Sequence, residues 1–117
     1  MLNKKFLGVV AELYVLLFYC CRLYFPIVWR FKRHKVGEID WILRRGKSLV
    51  FIEVKFRKSK FDIDYLVRKD QRNRIIKMSQ IFLKQNPAYQ TYNLRFDIAL
   101  VNNFSIVIFH NAWMDFQ

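Results

Sequence analysis

Acidic side chains are scarce in this chain. Aspartate and glutamate together number 9, against 21 lysines and arginines, and the formal net charge is +12. A folded domain with this excess attracts polyanions, and nucleic acid is the first candidate partner. A generally basic surface without a specific partner is the alternative. The few carboxylates therefore carry much of the information, above all those that lie among apolar residues.

Cysteine and histidine are also scarce. The two cysteines, Cys20 and Cys21, are adjacent, and a disulfide bond between neighbours is strained. Because the chain has no spaced cysteine framework, we expect a reducing, cytoplasmic location. With only His34 and His110 and no Cys-x-x-Cys motif, a structural zinc site is not expected. We interpret both histidines as surface or strand-end residues.

No hydrophobic run is long enough to cross a membrane. Glu12 and Arg22 interrupt the apolar N-terminal region, and the longest uncharged run there covers only residues 13–21. A bilayer core of about 30 Å needs about 20 apolar residues in a helix, and no small-residue cleavage site follows. We therefore expect no transmembrane span and prefer a buried amphipathic helix to a signal or membrane helix. Pro26 ends this helix or begins the next strand.

What is present indicates a single folded domain over residues 1–117. Hydrophobic residues make up 54% of the chain, which excludes disorder, and no repeat or linker divides it. Periodicity predicts, after the N-terminal helix, strands at 27–32, 37–44 and 48–56, a helix at 64–85, and strands at 93–101 and 104–110. The order α-β-β-β-α-β-β indicates an α/β fold with a mixed sheet flanked by helices.

The most informative segment is Leu-Val-Phe-Ile-Glu-Val-Lys at residues 49–55. Its β-branched and aromatic bias predicts a buried strand, and Glu53 and Lys55 then project from one face. Just before this strand, Gly46-Lys47 suits a type II′ hairpin turn, because glycine occupies the first central position. The segment is therefore predicted to be the second strand of a tight hairpin.

The predicted turn also fixes the register of the hairpin. Asp40 then faces Glu53, and Glu38 faces Lys55, with facing Cβ atoms roughly 5 Å apart. Two facing carboxylates repel each other unless a positive charge lies between them, and a divalent cation bound by oxygen ligands would supply it. A plain Glu38–Lys55 salt bridge beside a solvated Asp40 is the alternative, but it does not explain the facing acids.

Four blocks of the sequence carry a family resemblance: Gly8-x-x-Ala11-Glu12, Gly37-Glu38-Ile39-Asp40, Phe51-Ile52-Glu53-Val54-Lys55 and Arg95-Phe96-Asp97. With them, the chain resembles the YraN-like family of bacterial proteins from Gly8 to about Ala112. That family belongs to the PD-(D/E)XK, or restriction-endonuclease-like, superfamily, which also holds the archaeal Holliday-junction resolvases. The resemblance implies a restriction-endonuclease-like sheet and a metal-dependent nuclease acting on DNA, with branched or structured DNA as one candidate substrate.

The resemblance also implies roles for individual residues. The expected catalytic residues are Glu12, Asp40, Glu53 and Lys55. We expect Asp40, Glu53 and the backbone carbonyl of Val54 to hold Mg²⁺ or Mn²⁺, and we expect no small-molecule cofactor. Two supporting residues are expected nearby, Glu38 as the partner of Lys55 and Gln71 on the following helix.

Basic side chains near this site are expected to bind the phosphate backbone without sequence preference. They are Arg57, Lys58, Lys60, Arg68, Lys69 and Arg72. The three tryptophans, Trp29, Trp41 and Trp113, are interpreted as core residues rather than as platforms for stacked bases.

Three positions depart from the pattern of the family. Its members usually have a glycine near Leu23, an asparagine near Arg30 and a lysine around Gln71. The departures leave the expected metal site intact and affect the junction between the first helix and the first strand, and the substrate contacts.

Two other functions fit the sequence. One is a non-catalytic nucleic-acid-binding protein with a nuclease-like fold. The other is a peripheral membrane or partner-binding protein that uses the apolar N-terminal helix. A homodimer would suit a symmetric substrate, with residues 113–116 as a candidate interface.

Overall fold

The computed structural model describes residues 4–56 and 69–111, with side chains described for 4–56 and 71–111. Its elements are α1 (Lys4–Cys20), β1 (Phe25–Arg33), β2 (Gly37–Arg45), β3 (Ser48–Phe56), α2 (Lys69–Gln85), a short 3₁₀ helix (Pro87–Tyr89), β4 (Asn93–Asn102) and β5 (Ser105–Phe109). The predicted α/β class and the order α-β-β-β-α-β-β are confirmed. Residues 64–68 of the predicted second helix lie outside the described part.

The five strands form one mixed sheet in the order β1-β2-β3-β4-β5. β3 and β4 are parallel, and the other three pairs are antiparallel. Parallel neighbours need a crossover connection, and α2 belongs to the connection between β3 and β4. The mixed sheet flanked by helices is the architecture that the resemblance implied.

The two faces of the sheet bury separate hydrophobic clusters, because side chains alternate along each strand. Leu49 and Phe51 of β3 pack with Ile75, Met78 and Phe82 of α2, on what we call the α2-side face. Val50 and Ile52 pack with Ala11, Val15 and Tyr19 of α1, on the α1-side face. Each fully buried aliphatic or aromatic side chain contributes about 1.5–3 kcal/mol, so both helices are held to the sheet by burial.

The hairpin turn between β2 and β3 has the predicted geometry. Gly46 has a φ of +59°, and Lys47 is not among the described residues with positive φ, as a type II′ turn requires. Arg45 pairs with Ser48, and the same register continues to the pair Trp41–Ile52. The predicted register is therefore confirmed over five residue pairs.

The end of α1 is a Schellman motif with a leucine at its left-handed position. The N–H of Tyr24 donates to the carbonyl of Tyr19 at 3.2 Å, and the N–H of Leu23 donates to that of Cys20 at 3.0 Å. Leu23 has a φ of +71°, where glycine is preferred. Of the two possibilities for Pro26, the second is correct, because this proline lies inside β1.

The sequence predicts no transmembrane span in the N-terminal region and no disulfide bond between Cys20 and Cys21. Among the described residues, no helix is long and apolar enough to cross a membrane. Cys20 and Cys21 are exposed and free of disulfide bonds.

Candidate metal and catalytic site

Asp40 and Glu53 meet at one cavity. Asp40 comes from β2 and Glu53 from β3, and both line a pocket of about 300 Å³ together with Gly37, Glu38, Gln71, Arg74 and Ile75. Because α2 supplies the last three residues, the cavity opens between the sheet and α2. The hairpin thus brings together the two acids that the register predicted.

The strand ladder nevertheless stops before it reaches them. The last paired residues of β2 and β3 are Trp41 and Ile52. The carboxylate of Asp40 then accepts a hydrogen bond from the backbone N–H of Val54 at 2.7 Å. The prediction that Asp40 pairs directly with Glu53, and Glu38 with Lys55, is therefore wrong in this detail, because a side chain replaces the strand backbone as the acceptor.

The alternation of β2 breaks around Asp40. Ile39 and Ile42 both pack on the α2-side face, although residues three apart in a regular strand point to opposite faces. In β1, Arg30 lies between the pairs Trp29–Trp41 and Phe31–Ile39. Its φ is +56°, a rare conformation for a residue other than glycine or asparagine. The irregular backbone therefore extends across both strands at the site.

Lys55 lies within the same cluster of polar side chains. Its Nζ is 3.5 Å from Oε1 of Glu53, and the two side chains are 15% and 12% exposed. Gln71 of α2 bridges them, because its Oε1 accepts from Lys55 Nζ at 3.4 Å and its Nε2 donates to Glu53 Oε1 at 3.3 Å. The amide thereby holds the acid and the lysine next to each other.

Glu38 has a different partner from the one predicted. Among the described residues, its ion pair is with Lys32 at 3.9 Å, and the predicted pair with Lys55 is wrong. The ladder ends before Glu38, so this residue is not held opposite Lys55. Its carboxylate still lines the cavity and adds negative charge to it.

Burial raises the pKa of both central carboxyls. Desolvation is the largest cause for Asp40, raising its pKa to about 7, and the charges of Glu12 and Glu38 add to it. Desolvation also raises the pKa of Glu53 to about 8, with repulsion from Asp40 next. The Val54 N–H and Lys55 act in the opposite direction, lowering the pKa of Asp40. The positive charge near the two carboxyls is therefore too small to keep their pKa values in the ordinary range. A bound cation would stabilise their ionised forms.

The donor set fits a cation that keeps part of its water shell. Within residues 4–56 and 71–111, no three aspartate, glutamate, histidine or cysteine side chains come together as a complete metal-binding group. The site offers two carboxylates, and Mg²⁺ is commonly held by one or two carboxylates while it retains several waters. Val54 contributes its N–H to Asp40, and its carbonyl as a metal ligand stays a prediction.

Glu12 lies near Asp40 but outside the residues that line the cavity. Its Oε1 accepts hydrogen bonds from Trp29 Nε1 at 2.7 Å and from Arg30 Nε at 3.0 Å. Sequence reasoning missed both partners. Arg30 reaches Glu12 from a strand position with a φ of +56°, which no local pattern indicated. Trp41 is buried, as predicted, whereas Trp29 is 43% exposed, so its assignment to the core is wrong. Trp113 lies outside the described residues.

One of the predicted phosphate contacts is contradicted. Arg72 is only 5% exposed, because it lies one turn before Ile75 and shares the face of α2 that packs on the sheet. Of the remaining predicted contacts, Arg57, Lys58, Lys60 and Arg68 lie outside the described residues, as does the side chain of Lys69.

Other basic residues do reach the site, and sequence reasoning missed them. Arg74 lines the cavity of Asp40 and Glu53. It also lines a neighbouring cavity with Lys32, Arg33, His34 and Lys35. The signal in the sequence was the unbroken run of four basic or histidine residues at 32–35, which only Val36 separates from Gly37-Glu38-Ile39-Asp40.

The fold and this site define an α/β protein with a five-stranded mixed sheet and a cluster of two carboxylates, a lysine and a glutamine between the sheet and α2. The chain belongs to the uncharacterised protein family UPF0102, which its residues 12–101 match. This family is the YraN-like group, so the predicted resemblance is confirmed.

Similar proteins occur in several bacteria. A UPF0102 protein of Ehrlichia ruminantium is 34% identical over 112 residues, which cover 95% of this chain and 86% of that protein. One from Rhodopseudomonas palustris is 38% identical over 94 residues, 80% of this chain and 71% of that protein. One from Nitrobacter winogradskyi is 40% identical over 77 residues, 66% of this chain and 65% of that protein.

Proposed function

We propose that this protein is a cytoplasmic, metal-dependent nuclease that hydrolyses phosphodiester bonds in DNA, with branched or structured DNA as a candidate substrate. The observation that supports this most strongly is the meeting of Asp40 and Glu53 at one cavity, with Lys55 in contact with Glu53. Phosphodiester hydrolysis needs a cation beside the phosphate and a positive group for the charge that develops there. The cavity offers a place for both.

Asp40 and Glu53 are the residues that would hold Mg²⁺ or Mn²⁺. Such an ion supplies a Lewis acid, which lowers the pKa of water and neutralises charge on a phosphate oxygen. The hydrogen bond from the Val54 N–H holds the Asp40 carboxylate in place. Gln71 does the same for Glu53. Two preoriented carboxylates reduce the entropy lost on binding.

Lys55 is the residue that would stabilise the transition state. Its ammonium is held between Glu53 and Gln71, largely shielded from water. A fixed positive group in such a site stabilises the negative charge that develops on the phosphate during attack. Gln71 acts as a positioning residue, because it contacts both the lysine and the acid.

The surroundings of the cavity suit the phosphate backbone. Arg74 joins the Asp40 cavity to the neighbouring one lined by Lys32, Arg33 and Lys35. Contacts of this kind give affinity that depends on salt and not on sequence. A dimer would present two such sites to a symmetric substrate, and this remains part of the proposal.

A cleavage assay tests the proposal. Flapped and branched DNA are incubated with Mg²⁺ and wild-type protein, Asp40→Ala or Lys55→Ala, with Lys47→Ala as a control that removes an exposed lysine from the hairpin turn. We expect wild type and Lys47→Ala to cleave, and the other two to lose activity by about 100-fold or more. Wild type that cuts nothing, or site variants that cut as well as wild type, would refute a nuclease.

The alternative is a non-catalytic nucleic-acid-binding protein. The absence of a complete three-residue metal group among the described residues is the observation that favours it. It predicts DNA binding that weakens steeply with salt, with no heat on titration of Mg²⁺ or Mn²⁺. A metal response that is lost in Asp40→Asn would argue against it.

A further inference from the structure

A second polar cavity lies between the end of α1 and the sheet. Its volume is about 280 Å³, and its polar lining consists of Arg22, Arg45, Arg95, His110, Tyr19 and Tyr24. None of these residues lines the cavity of Asp40 and Glu53. Among the residues that the structure describes, no carboxylate lines this second cavity. Three arginines therefore line one small space.

The two cavities lie on opposite faces of the sheet. In the β3–β4 register, Arg95 pairs with Val50 and Asp97 with Ile52, and both partners belong to the α1-side core. Glu53, the residue after Ile52, lines the cavity against α2. The second cavity is therefore not an extension of the candidate metal site.

Asp97 fixes the side chains behind this cavity. It is fully buried, and accepts from Tyr19 Oη at 2.8 Å and from Arg95 Nε and Nη2 at 3.0 and 2.9 Å. His110 Nδ1 lies 3.1 Å from it, and the N–H of Asn111 donates to it at 3.2 Å. Both oxygens are thus engaged, which leaves Asp97 unsuited to bind a ligand itself. It uses two of the five N–H donors of Arg95.

The other two guanidinium groups are held by aromatic rings and backbone. The guanidinium carbon of Arg45 lies 4.4 Å from the ring centroid of Tyr24, and that of Arg95 lies 5.4 Å from it. Arg22 stacks on Phe18 at 3.6 Å, and Arg45 also donates to the carbonyl of Arg22 at 3.3 Å. Stacked guanidinium groups lose little further freedom when they bind a ligand.

We infer that this second cavity binds a phosphate group. Planar guanidinium groups donate paired hydrogen bonds to phosphate oxygens, and this is the strongest class of polar contact available here. The three arginines carry three positive charges, and Asp97 carries one negative charge, so the cavity has an excess of positive charge at neutral pH. The phosphate is carried by nucleic acid, as a terminal monoester or as an internal phosphodiester. The inference does not depend on the metal site or on cleavage.

Calorimetry in EDTA tests phosphate binding without any metal chemistry. Inorganic phosphate is titrated into wild type, Arg45→Gln and Arg44→Gln at one fixed salt concentration. The two variants remove the same charge from adjacent residues, and Arg44 does not line the cavity. We expect Arg45→Gln to weaken phosphate binding about tenfold and Arg44→Gln to leave it within about twofold. Arg22→Gln, which removes another arginine that lines the cavity, is expected to weaken phosphate binding as well.

A second titration identifies the source of the phosphate. A short single-stranded oligonucleotide is compared with and without a 5′-phosphate. Tighter binding of the phosphorylated form, lost in Arg45→Gln, identifies a terminal monoester; equal binding of both, weakened in Arg45→Gln, identifies an internal phosphodiester. The inference is overturned if wild type does not bind inorganic phosphate, or if Arg44→Gln and Arg45→Gln weaken binding equally.

Discussion

The Asp40 carboxylate accepts a hydrogen bond from the backbone N–H of Val54 at 2.7 Å, at the point where the ladder between β2 and β3 ends. A side chain thus continues the hydrogen bonding of the sheet, and it does so with the charged group that lines the cavity. The carboxylate is held beside Glu53 by the fold itself. Such preorganisation is what a metal or catalytic site requires of its supporting structure.

The first prediction concerns the stability of the metal-free protein. The pKa of Asp40 is raised to about 7 and that of Glu53 to about 8, against about 4 in the unfolded chain. The folded state therefore binds protons more tightly, and these two groups make the free energy of unfolding fall as pH rises from about 4 to about 8. Urea unfolding at pH 5 and pH 8 in EDTA measures the difference.

Asp40→Asn is the control for this pH dependence, because it removes one of the two carboxyl groups and the repulsion between them. We expect a smaller loss of stability between pH 5 and pH 8 in this variant. Millimolar Mg²⁺ should restore stability to wild type at pH 8, since a ligand that binds only the folded state stabilises it. A pH dependence that is identical in wild type and Asp40→Asn would contradict the prediction.

The second prediction separates positioning from metal binding at Gln71. Gln71→Leu removes the bridge between Lys55 and Glu53 while the two charged residues remain. We expect kcat to fall about tenfold, the loss of roughly one hydrogen bond to a charged group, and the affinity for Mg²⁺ to change much less. Gln80→Leu, an exposed glutamine of the same helix, is the control. An unchanged kcat would show that the bridge has no role in turnover.

The third prediction concerns the acid of the first helix. Glu12 is bound by Arg30 and Trp29, so its carboxylate is already engaged. We expect Glu12→Gln to keep Mg²⁺ affinity within a few-fold of wild type, whereas Glu53→Gln loses most of it. Calorimetric titration compares the two. An equal loss of Mg²⁺ affinity in both variants would contradict the prediction and indicate that Glu12 is a metal ligand.

The fourth prediction concerns the end of α1. Leu23 has a φ of +71° and a side chain that is 75% exposed, so the left-handed conformation is strained with little gain from packing. Leu23→Gly should raise the free energy of unfolding by about 1 kcal/mol. Leu23→Ala is the matched control, because it removes the same exposed side chain but keeps the Cβ. An equal increase in the free energy of unfolding in both variants would show that the effect comes from removing the side chain and not from relieving backbone strain.

Much of the fold follows from local signals in the sequence. Glycine at position 46 favours a tight hairpin turn, and the β-branched and aromatic run before Glu53 favours a buried strand, so the hairpin and its register were predictable. Asn103, with a φ of +56°, lies in the turn between β4 and β5, within the gap that the predicted strands at 93–101 and 104–110 leave. Leu23, near which the family resemblance led us to expect a glycine, has left-handed backbone geometry in the structure.

The details that sequence reasoning missed depend on contacts between distant elements. The ladder ends at Trp41 because the side chain of Asp40 takes over the hydrogen bond to Val54, which no local pattern indicates. The partners of Glu12 depend on the conformation of Arg30. The prediction that Arg72 contacts phosphate was a different kind of error, since its spacing from Ile75 already placed it on the packed face of α2.

Manganese soaked into crystals of the protein, located by anomalous scattering, tests the metal site most directly. We expect a peak between the carboxylates of Asp40 and Glu53, within coordination distance of both, and its loss in Asp40→Asn crystals soaked in the same way. Wild-type crystals with no peak at this position, or a peak that persists unchanged in Asp40→Asn, would contradict the assignment of these two acids as metal ligands.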